Sequence, residues 1–214
     1  MTPEHIKEAG KKAIDDNFSK YSPVPGYMDL REAIVDKLKK ENHLDYTTGE
    51  VIVGTGGKQG VCNTILALVN PGDEVIIPAP YWVSYPQMAK LAGATPVIVR
   101  AGFEQDFKMT AEQLEAAITP KTKMLILCSP SNPTGSVYSQ EELNALAQVI
   151  LKHEDIFVLS DEIYEHINYV GKAASIASYP GMKERTIICN GVSKAYAMTG
   201  WRLGWVAAPA WIVK

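Results

Sequence analysis

The chain has 214 residues, of which 46% are hydrophobic and 21% are charged, a composition typical of a soluble globular protein. Its formal net charge of −3 gives no reason to expect nucleic acid or an anionic membrane as a partner. We find no signal peptide and no apolar run long enough to cross a bilayer. The three cysteines are an odd number without CxxC spacing, which predicts free thiols in a reducing compartment and hence the cytoplasm.

The first part of the chain is predicted to contain two helices separated by a turn. Thr2 is expected to cap the first helix, with Pro3 at the first helical position. Two prolines and a glycine exclude helix from residues 21–27. Apolar residues at helical spacing then predict a second amphipathic helix from about Asp29.

Beyond the second helix, the pattern changes to short β-branched runs. Most connections between these runs can hold a helix, and two of the helices are expected to begin with capping boxes at Thr110 and Ser139. Strands that are apolar on both faces and alternate with helices predict an α/β fold, a three-layer α/β/α sandwich around a mainly parallel seven-stranded sheet. A seventh run at residues 203–208 follows its predecessor too closely for a full crossover, so it is expected to be antiparallel. The other six predicted strands are Val51–Val53, Val75–Ile77, Pro96–Val99, Met124–Cys128, Phe157–Leu159 and Thr186–Cys189.

Five polar segments directly follow predicted strands, at the sheet edge where ligands of open α/β sheets collect. In Gly54–Gly60, glycines would let backbone N–H groups approach a phosphate at the start of a helix, although a tight structural turn would use the same residues. Trp82 could stack on a planar ring or belong to the core. Asn132 could project its amide into a cleft or form an Asx turn.

The remaining two segments carry charged residues. Asp161 ends an apolar strand, and a buried carboxylate there needs a partner such as a pyridinium N–H, unless it caps the next turn. Lys194 follows another strand and is expected to face the cleft partly desolvated, where its amine can act as a nucleophile. Arg202, eight positions further on, offers a planar fork for a phosphate. A lone loop lysine is commonly a surface charge, but the combination predicts a site for pyridoxal 5'-phosphate (PLP).

Taken in order, these segments resemble the class I/II aminotransferases of the fold-type I PLP-dependent family, and most closely the bacterial-type aspartate aminotransferases. The resemblance covers essentially the whole chain and implies the large, PLP-binding domain of such an enzyme. The matching motifs are Tyr21–Gly26 with Leu30 and Arg31, Gly56–Gln59, Pro80–Pro86, Ser129–Gly135, Ser160–Tyr164 and Ser193–Gly204.

The resemblance implies roles for the residues nearest the reacting atoms. Lys194 would hold PLP through a Schiff base and carry the proton between the substrate and the cofactor. Asp161 would pair with the pyridine nitrogen, and Asn132 and Tyr164 would hydrogen-bond the phenolic oxygen of the ring. Trp82 would stack on the ring and, with Asn132, contact the substrate. The implied catalytic residues are therefore Lys194, Asp161 and Tyr164.

The resemblance also implies how the phosphate and a second subunit are engaged. The backbone at Gly57 and Lys58, together with Arg202, would hold the phosphate. Lys58 would also contact the side-chain carboxylate of an acidic substrate. Tyr21 would reach the phosphate bound by the other subunit, which implies a homodimer. No metal ion is expected.

The implied reaction is transfer of an amino group from an amino acid, with aspartate favoured, to a 2-oxo acid such as 2-oxoglutarate. An aromatic amino acid, alanine or prephenate are alternative substrates. A PLP-binding module without turnover, or the aminotransferase-like domain of a transcription regulator, are alternatives of other classes. Residues 1–45 are expected to form a helical segment that leads into a large domain at 46–214. The C-terminal small domain of the family, with its carboxylate-binding arginine, and the N-terminal arm are expected to be absent.

Overall fold

A seven-stranded sheet runs through the middle of the molecule, in a computed structural model that describes all of residues 1–214. The strand order is β1-β7-β6-β5-β4-β2-β3, and only β7 is antiparallel to its neighbours. The predicted number of strands, the mainly parallel sheet and the antiparallel seventh strand are confirmed. The strands are β1 Val51–Gly54, β2 Glu74–Ala79, β3 Thr95–Arg100, β4 Thr122–Cys128, β5 Phe157–Asp161, β6 Thr186–Gly191 and β7 Gly204–Ala207.

Seven α-helices accompany the sheet, and helices cover both of its faces. Because side chains alternate along a strand, Met124 and Ile126 of β4 pack in one buried cluster and Leu125 and Leu127 in another. The first cluster includes residues of α3 and α4, and the second includes residues of α5 and α6, which gives the three predicted layers. The helices are α1 Glu4–Asp15, α2 Met28–Asn42, α3 Gly57–Leu68, α4 Ser84–Leu91, α5 Ala111–Ala117, α6 Gln140–Ile150 and α7 Ala210–Val213.

The two N-terminal helices differ in how they contact the rest of the molecule. Ile34 and Leu38 of α2 pack in a third buried cluster with residues of β1, β6 and β7. No residue of α1 is buried, and Ile14 near its end is 76% exposed. The helix α2 is therefore part of the packed unit, whereas α1 lies on its surface.

The helix caps agree with the sequence at two positions and differ at a third. Thr110 and Ser139 form the predicted capping boxes, accepting hydrogen bonds from the backbone N–H groups of Gln113 and Glu142. The predicted cap at Thr2 is wrong, because the helix begins one residue later than expected and Pro3 is the residue before it. The Thr2 hydroxyl instead donates to the Ala197 carbonyl at 2.7 Å, so tertiary contact prevails over the local cap.

All three cysteines are free thiols, as predicted. Cys189 is buried in the sheet, while Cys62 and Cys128 are half-buried. None of the helices combines the length and the apolar character that crossing a membrane requires.

The start of β7 lies so close to the start of α3 that only glycine fits there. A Cβ added at Gly204 would lie 2.5 Å from the Gly56 carbonyl carbon and closer still to the Gly57 nitrogen. The methyl group of Gly204→Ala must therefore push α3 away from the sheet, and we expect the free energy of unfolding to fall by about 1–3 kcal/mol in urea titrations.

Gly200→Ala is the matched control, because a Cβ at Gly200 meets no atom within 4 Å. Its free energy of unfolding should stay within about 0.5 kcal/mol of the unsubstituted chain. Equal losses in the two variants would contradict the steric argument.

Candidate active site

A cleft of about 250 Å³ opens at the carboxyl ends of the central strands, beside the N-terminus of α3. This is the sheet edge at which the sequence places the polar segments. Tyr21 is the predicted site residue that does not line this cleft, and its side chain is fully exposed elsewhere on the surface. The predicted site residues that line the cleft are Gly57, Lys58, Trp82, Asn132, Asp161, Tyr164, Lys194 and Arg202.

The Arg202 guanidinium is held against the N-terminus of α3. Its Nη2 donates to the Thr55 carbonyl at 3.0 Å and its Nη1 to the Thr199 carbonyl at 2.7 Å. Gly56 has a φ of +97°, and a Cβ there would overlap the guanidinium, so glycine permits this close approach. A fixed guanidinium beside the first N–H groups of a twelve-residue helix is an arrangement that attracts a phosphate.

Asp161 lies at the base of the cleft, as the last residue of β5, and is buried. The Tyr85 hydroxyl donates to its Oδ2 at 2.6 Å, and the Ile163 backbone N–H donates to its Oδ1 at 3.3 Å. Burial raises the pKa of Asp161, while the two donors and the nearby Lys194 lower it. The carboxylate therefore favours a cationic or N–H partner on the cleft side.

Tyr85 is a site residue that the sequence analysis missed. Its side chain is only 2% exposed and lies edge-on to Trp82, with ring centroids 5.3 Å apart. Two signals pointed to it: the carboxylate of Asp161 needed a donor, and Tyr85 follows Trp82 by three residues at the start of α4.

Lys194 differs from its predicted environment. The side chain lines the cleft but is exposed, whereas the sequence predicted a partly desolvated amine. The reason is that β6 ends at Gly191 and Lys194 lies in the turn beyond the sheet edge. Its Nζ lies 5.5 Å from the centroid of the Tyr164 ring, so these two predicted catalytic residues are adjacent.

Lys58 and Trp82 form a second pair at the cleft. The Lys58 ammonium lies 5.2 Å from the centroid of the Trp82 ring, on which a cation is favoured. Asn132 lines the cleft from the loop between β4 and α6, before Pro133. The structure thus collects an indole, an amide and two ammonium groups around one cavity.

The sequence profile described as aminotransferase class I and II matches residues 1–214, and the chain belongs to this family. The aspartate/prephenate aminotransferase of Cereibacter sphaeroides is 53% identical over 100% of this chain and 54% of that protein. The bifunctional aspartate aminotransferase and glutamate/aspartate-prephenate aminotransferase of Petunia hybrida is 53% identical over 97% of this chain and 44% of that protein. The chain spans about half the length of these curated relatives.

The solved structures support the same fold. The aspartate aminotransferase from Rhizobium meliloti matches with a TM-score of 0.97 at 44% identity, over 99% of this chain and 54% of that one. The three-layer α/β/α arrangement predicted from the sequence is therefore the fold of a known aminotransferase.

The cofactor of this family is PLP, and the residues of the cleft fit it. The buried carboxylate of Asp161 suits a protonated ring nitrogen, and Arg202 with the start of α3 suits a phosphate. Lys194 supplies an amine for an aldehyde, and Trp82 supplies an aromatic face for a ring. Each functional part of PLP has a matching group in one cavity.

Tyr85→Phe tests the support of the Asp161 carboxylate. Removing the hydroxyl leaves a buried carboxylate with one donor fewer, so the free energy of unfolding at neutral pH should fall by about 1–3 kcal/mol. The loss should be smaller in acid, where Asp161 is protonated. Urea titrations at both pH values measure this difference, with Tyr81→Phe at a half-buried neighbouring tyrosine as the control. A loss of equal size in both variants would contradict the assigned role.

Glu162 gives the chain a distinct pH dependence. Burial raises the pKa of this carboxyl from 4.5 to about 7, and the Ser160 and Ser175 hydroxyls donate to it at 2.9 and 2.6 Å. The folded chain therefore retains a proton that the unfolded chain releases, so this group destabilises the fold as pH rises from about 4.5 to 7.

Between these pH values the carboxyl lowers the free energy of unfolding by about 3 kcal/mol, and we expect Glu162→Gln to remove this decrease. Urea titrations across the same pH range measure it. The exposed Glu154→Gln variant serves as the control and should keep the original slope. An unchanged slope in Glu162→Gln would show that the carboxyl is ionised throughout.

Proposed function

We propose that this chain is the PLP-binding large domain of an aminotransferase that moves the amino group of aspartate to 2-oxoglutarate. The observation that carries this proposal is a single cleft that holds an amine, a buried carboxylate and a guanidinium beside a helix N-terminus. When bound, PLP supplies an electron sink that stabilises negative charge at the α-carbon of an amino acid. The net reaction yields oxaloacetate and glutamate.

The chain's own residues would bind the cofactor and move the protons. Arg202 and the N–H of Gly57 would bind the phosphate and fix its position. Asp161 would keep the ring nitrogen protonated, and the Tyr85 hydroxyl orients this carboxylate by donating to it. Lys194 would supply the amine for the cofactor aldehyde, and its Nζ would carry the proton from the α-carbon of the substrate to the cofactor.

The proposed acidic substrate is supported by Lys58 and by the relatives. The Lys58 ammonium faces the cleft next to Trp82, where it can pair with a side-chain carboxylate. The curated relatives from Cereibacter sphaeroides and Nitrosomonas europaea are described as aspartate/prephenate aminotransferases. Prephenate, a dicarboxylate with a 2-oxo group, is therefore a second candidate amino-group acceptor for the parent protein.

We also propose that the protein functions as a cytoplasmic homodimer. Tyr21 is fully exposed and outside the cleft of its own chain, which supports a contact with the phosphate of a second subunit. The free thiols support a reducing compartment. The division into a helical segment at 1–45 and a large domain at 46–214 stays a proposal of the same kind.

The proposal is tested by an absorbance spectrum of the chain with added PLP, recorded before and after L-aspartate. A visible band that disappears with aspartate in favour of pyridoxamine phosphate would establish both cofactor binding and the first half of the reaction. A band that persists would identify a PLP-binding domain without turnover. Absence of any band would contradict the proposed function of this chain.

Lys194→Ala should abolish the PLP adduct that borohydride fixes to the wild-type chain, because the attaching amine is gone. Trp82→Ala should keep the adduct but raise the dissociation constant of PLP about tenfold through loss of ring stacking. Mass spectrometry of the reduced protein measures the adduct, with Lys90→Ala at an exposed lysine of α4 as the control. An adduct at the wild-type level in Lys194→Ala would refute the assignment.

A further inference from the structure

A nearly buried carboxylate follows the cleft residue Tyr164 in the chain. Glu165 follows Tyr164 in the turn after β5, and its side chain is only 7% exposed. Its Oε1 accepts a hydrogen bond from the Asn190 amide at 2.6 Å and contacts the Lys37 ammonium. Its Oε2 accepts from the Asn42 amide at 2.9 Å. Both oxygens of Glu165 are therefore used within the chain.

These contacts connect three separate elements. Lys37 and Asn42 belong to α2, and the Lys37 ammonium also donates to the Asn42 side-chain oxygen at 2.7 Å. Asn190 belongs to β6, four residues before Lys194, and its side-chain oxygen accepts from the Gly191 N–H at 2.7 Å. The carboxylate thus connects the turn that carries Tyr164 to the strand that leads to Lys194.

Charged side chains surround Glu165. The ring nitrogens of His166 lie 3.7 Å from Glu165 and 3.0 Å from Glu41, so these three side chains form a cluster of metal-ligating type. The Lys37 ammonium already supplies a positive charge there, since it contacts Glu165 and lies 3.7 Å from Glu41. Glu165 does not line the cleft, so it cannot touch a ligand there.

We infer that Glu165 is a positioning residue, whose carboxylate fixes the spacing between the Tyr164 ring and the Lys194 amine. The effect of this spacing on catalysis rests on the proposed function. The ordering of the turn by Glu165 does not depend on a cofactor. Charged hydrogen bonds to amide and ammonium donors are stronger than neutral ones, so the ionised carboxylate matters as well as its shape.

The first experiment needs no cofactor. Hydrogen exchange is measured on the full chain for Glu165→Gln, which keeps the shape of the side chain but removes its charge. We expect backbone amides at 163–167 and 191–194 to exchange about tenfold faster, because the turn and the strand end are released together. Asp36→Asn is the matched control: it removes an exposed carboxylate of the same helix, which pairs with Lys40, and exchange in these segments should stay unchanged.

The second experiment asks whether the effect passes through Tyr164. The dissociation constant of PLP is measured for Glu165→Gln, Tyr164→Phe and the double variant. We expect Glu165→Gln to raise the dissociation constant of PLP about tenfold. In the double variant, the dissociation constant should rise by much less than the product of the two single increases. The inference would be overturned if the two substitutions raised the dissociation constant independently, so that their effects multiply. Exchange rates in Glu165→Gln equal to those in Asp36→Asn would also overturn it.

A third variant keeps the inference testable if Glu165→Gln does not fold. Asn42 is half-buried, and Asn42→Ala removes the amide that donates to Oε2 of Glu165. Faster exchange at 163–167 in that variant would support the inference, and unchanged exchange would overturn it. If the wild-type chain captures no PLP at all, the proposed function fails, and the exchange data alone decide whether Glu165 orders the turn.

Discussion

Burial of the central strands on both faces is the constraint on which the rest of the structure depends. Because β4 packs apolar side chains into two separate clusters, helices must cover both sides of the sheet. Every parallel strand then ends at the same edge, and the loops that leave this edge bring polar side chains together at the centre of the fold. Asp161, Asn132 and Lys194 come together for this reason, although long stretches of chain separate them.

The acidic residues after β5 show how the fold accommodates buried charge at this edge. Asp161, Glu162 and Glu165 are three carboxyl groups within five positions, and each is almost completely removed from water. Each accepts hydrogen bonds from groups brought by other parts of the chain, since an unpaired buried carboxylate is costly. Burial raises the pKa of both Asp161 and Glu162, and a positively charged partner is favoured at Asp161, which lines the cleft.

Much of the fold and most of the candidate site could be predicted from the sequence, because periodic apolar runs and strand-end motifs are local signals. Residues such as Trp82 and Arg202 were identified because they follow strands or stand within a recognisable motif. Tyr85 could not be assigned to Asp161, since that contact joins residues 76 positions apart. The exposure of Lys194 depends on how far the turn after β6 extends from the sheet, which residue identity does not encode.

The antiparallel entry of β7 between β1 and β6 has a consequence for how a bound cofactor would leave. Lys194 and Arg202 lie eight positions apart in the connection between β6 and β7. The Arg202 guanidinium donates a hydrogen bond to the Thr55 carbonyl and so links this connection to the loop between β1 and α3. If residues 192–203 open locally as one unit, the amine and the guanidinium that would hold the cofactor move away from the cleft in the same event. Loss of a bound cofactor would then require both this opening and hydrolysis of its bond to Lys194 by water.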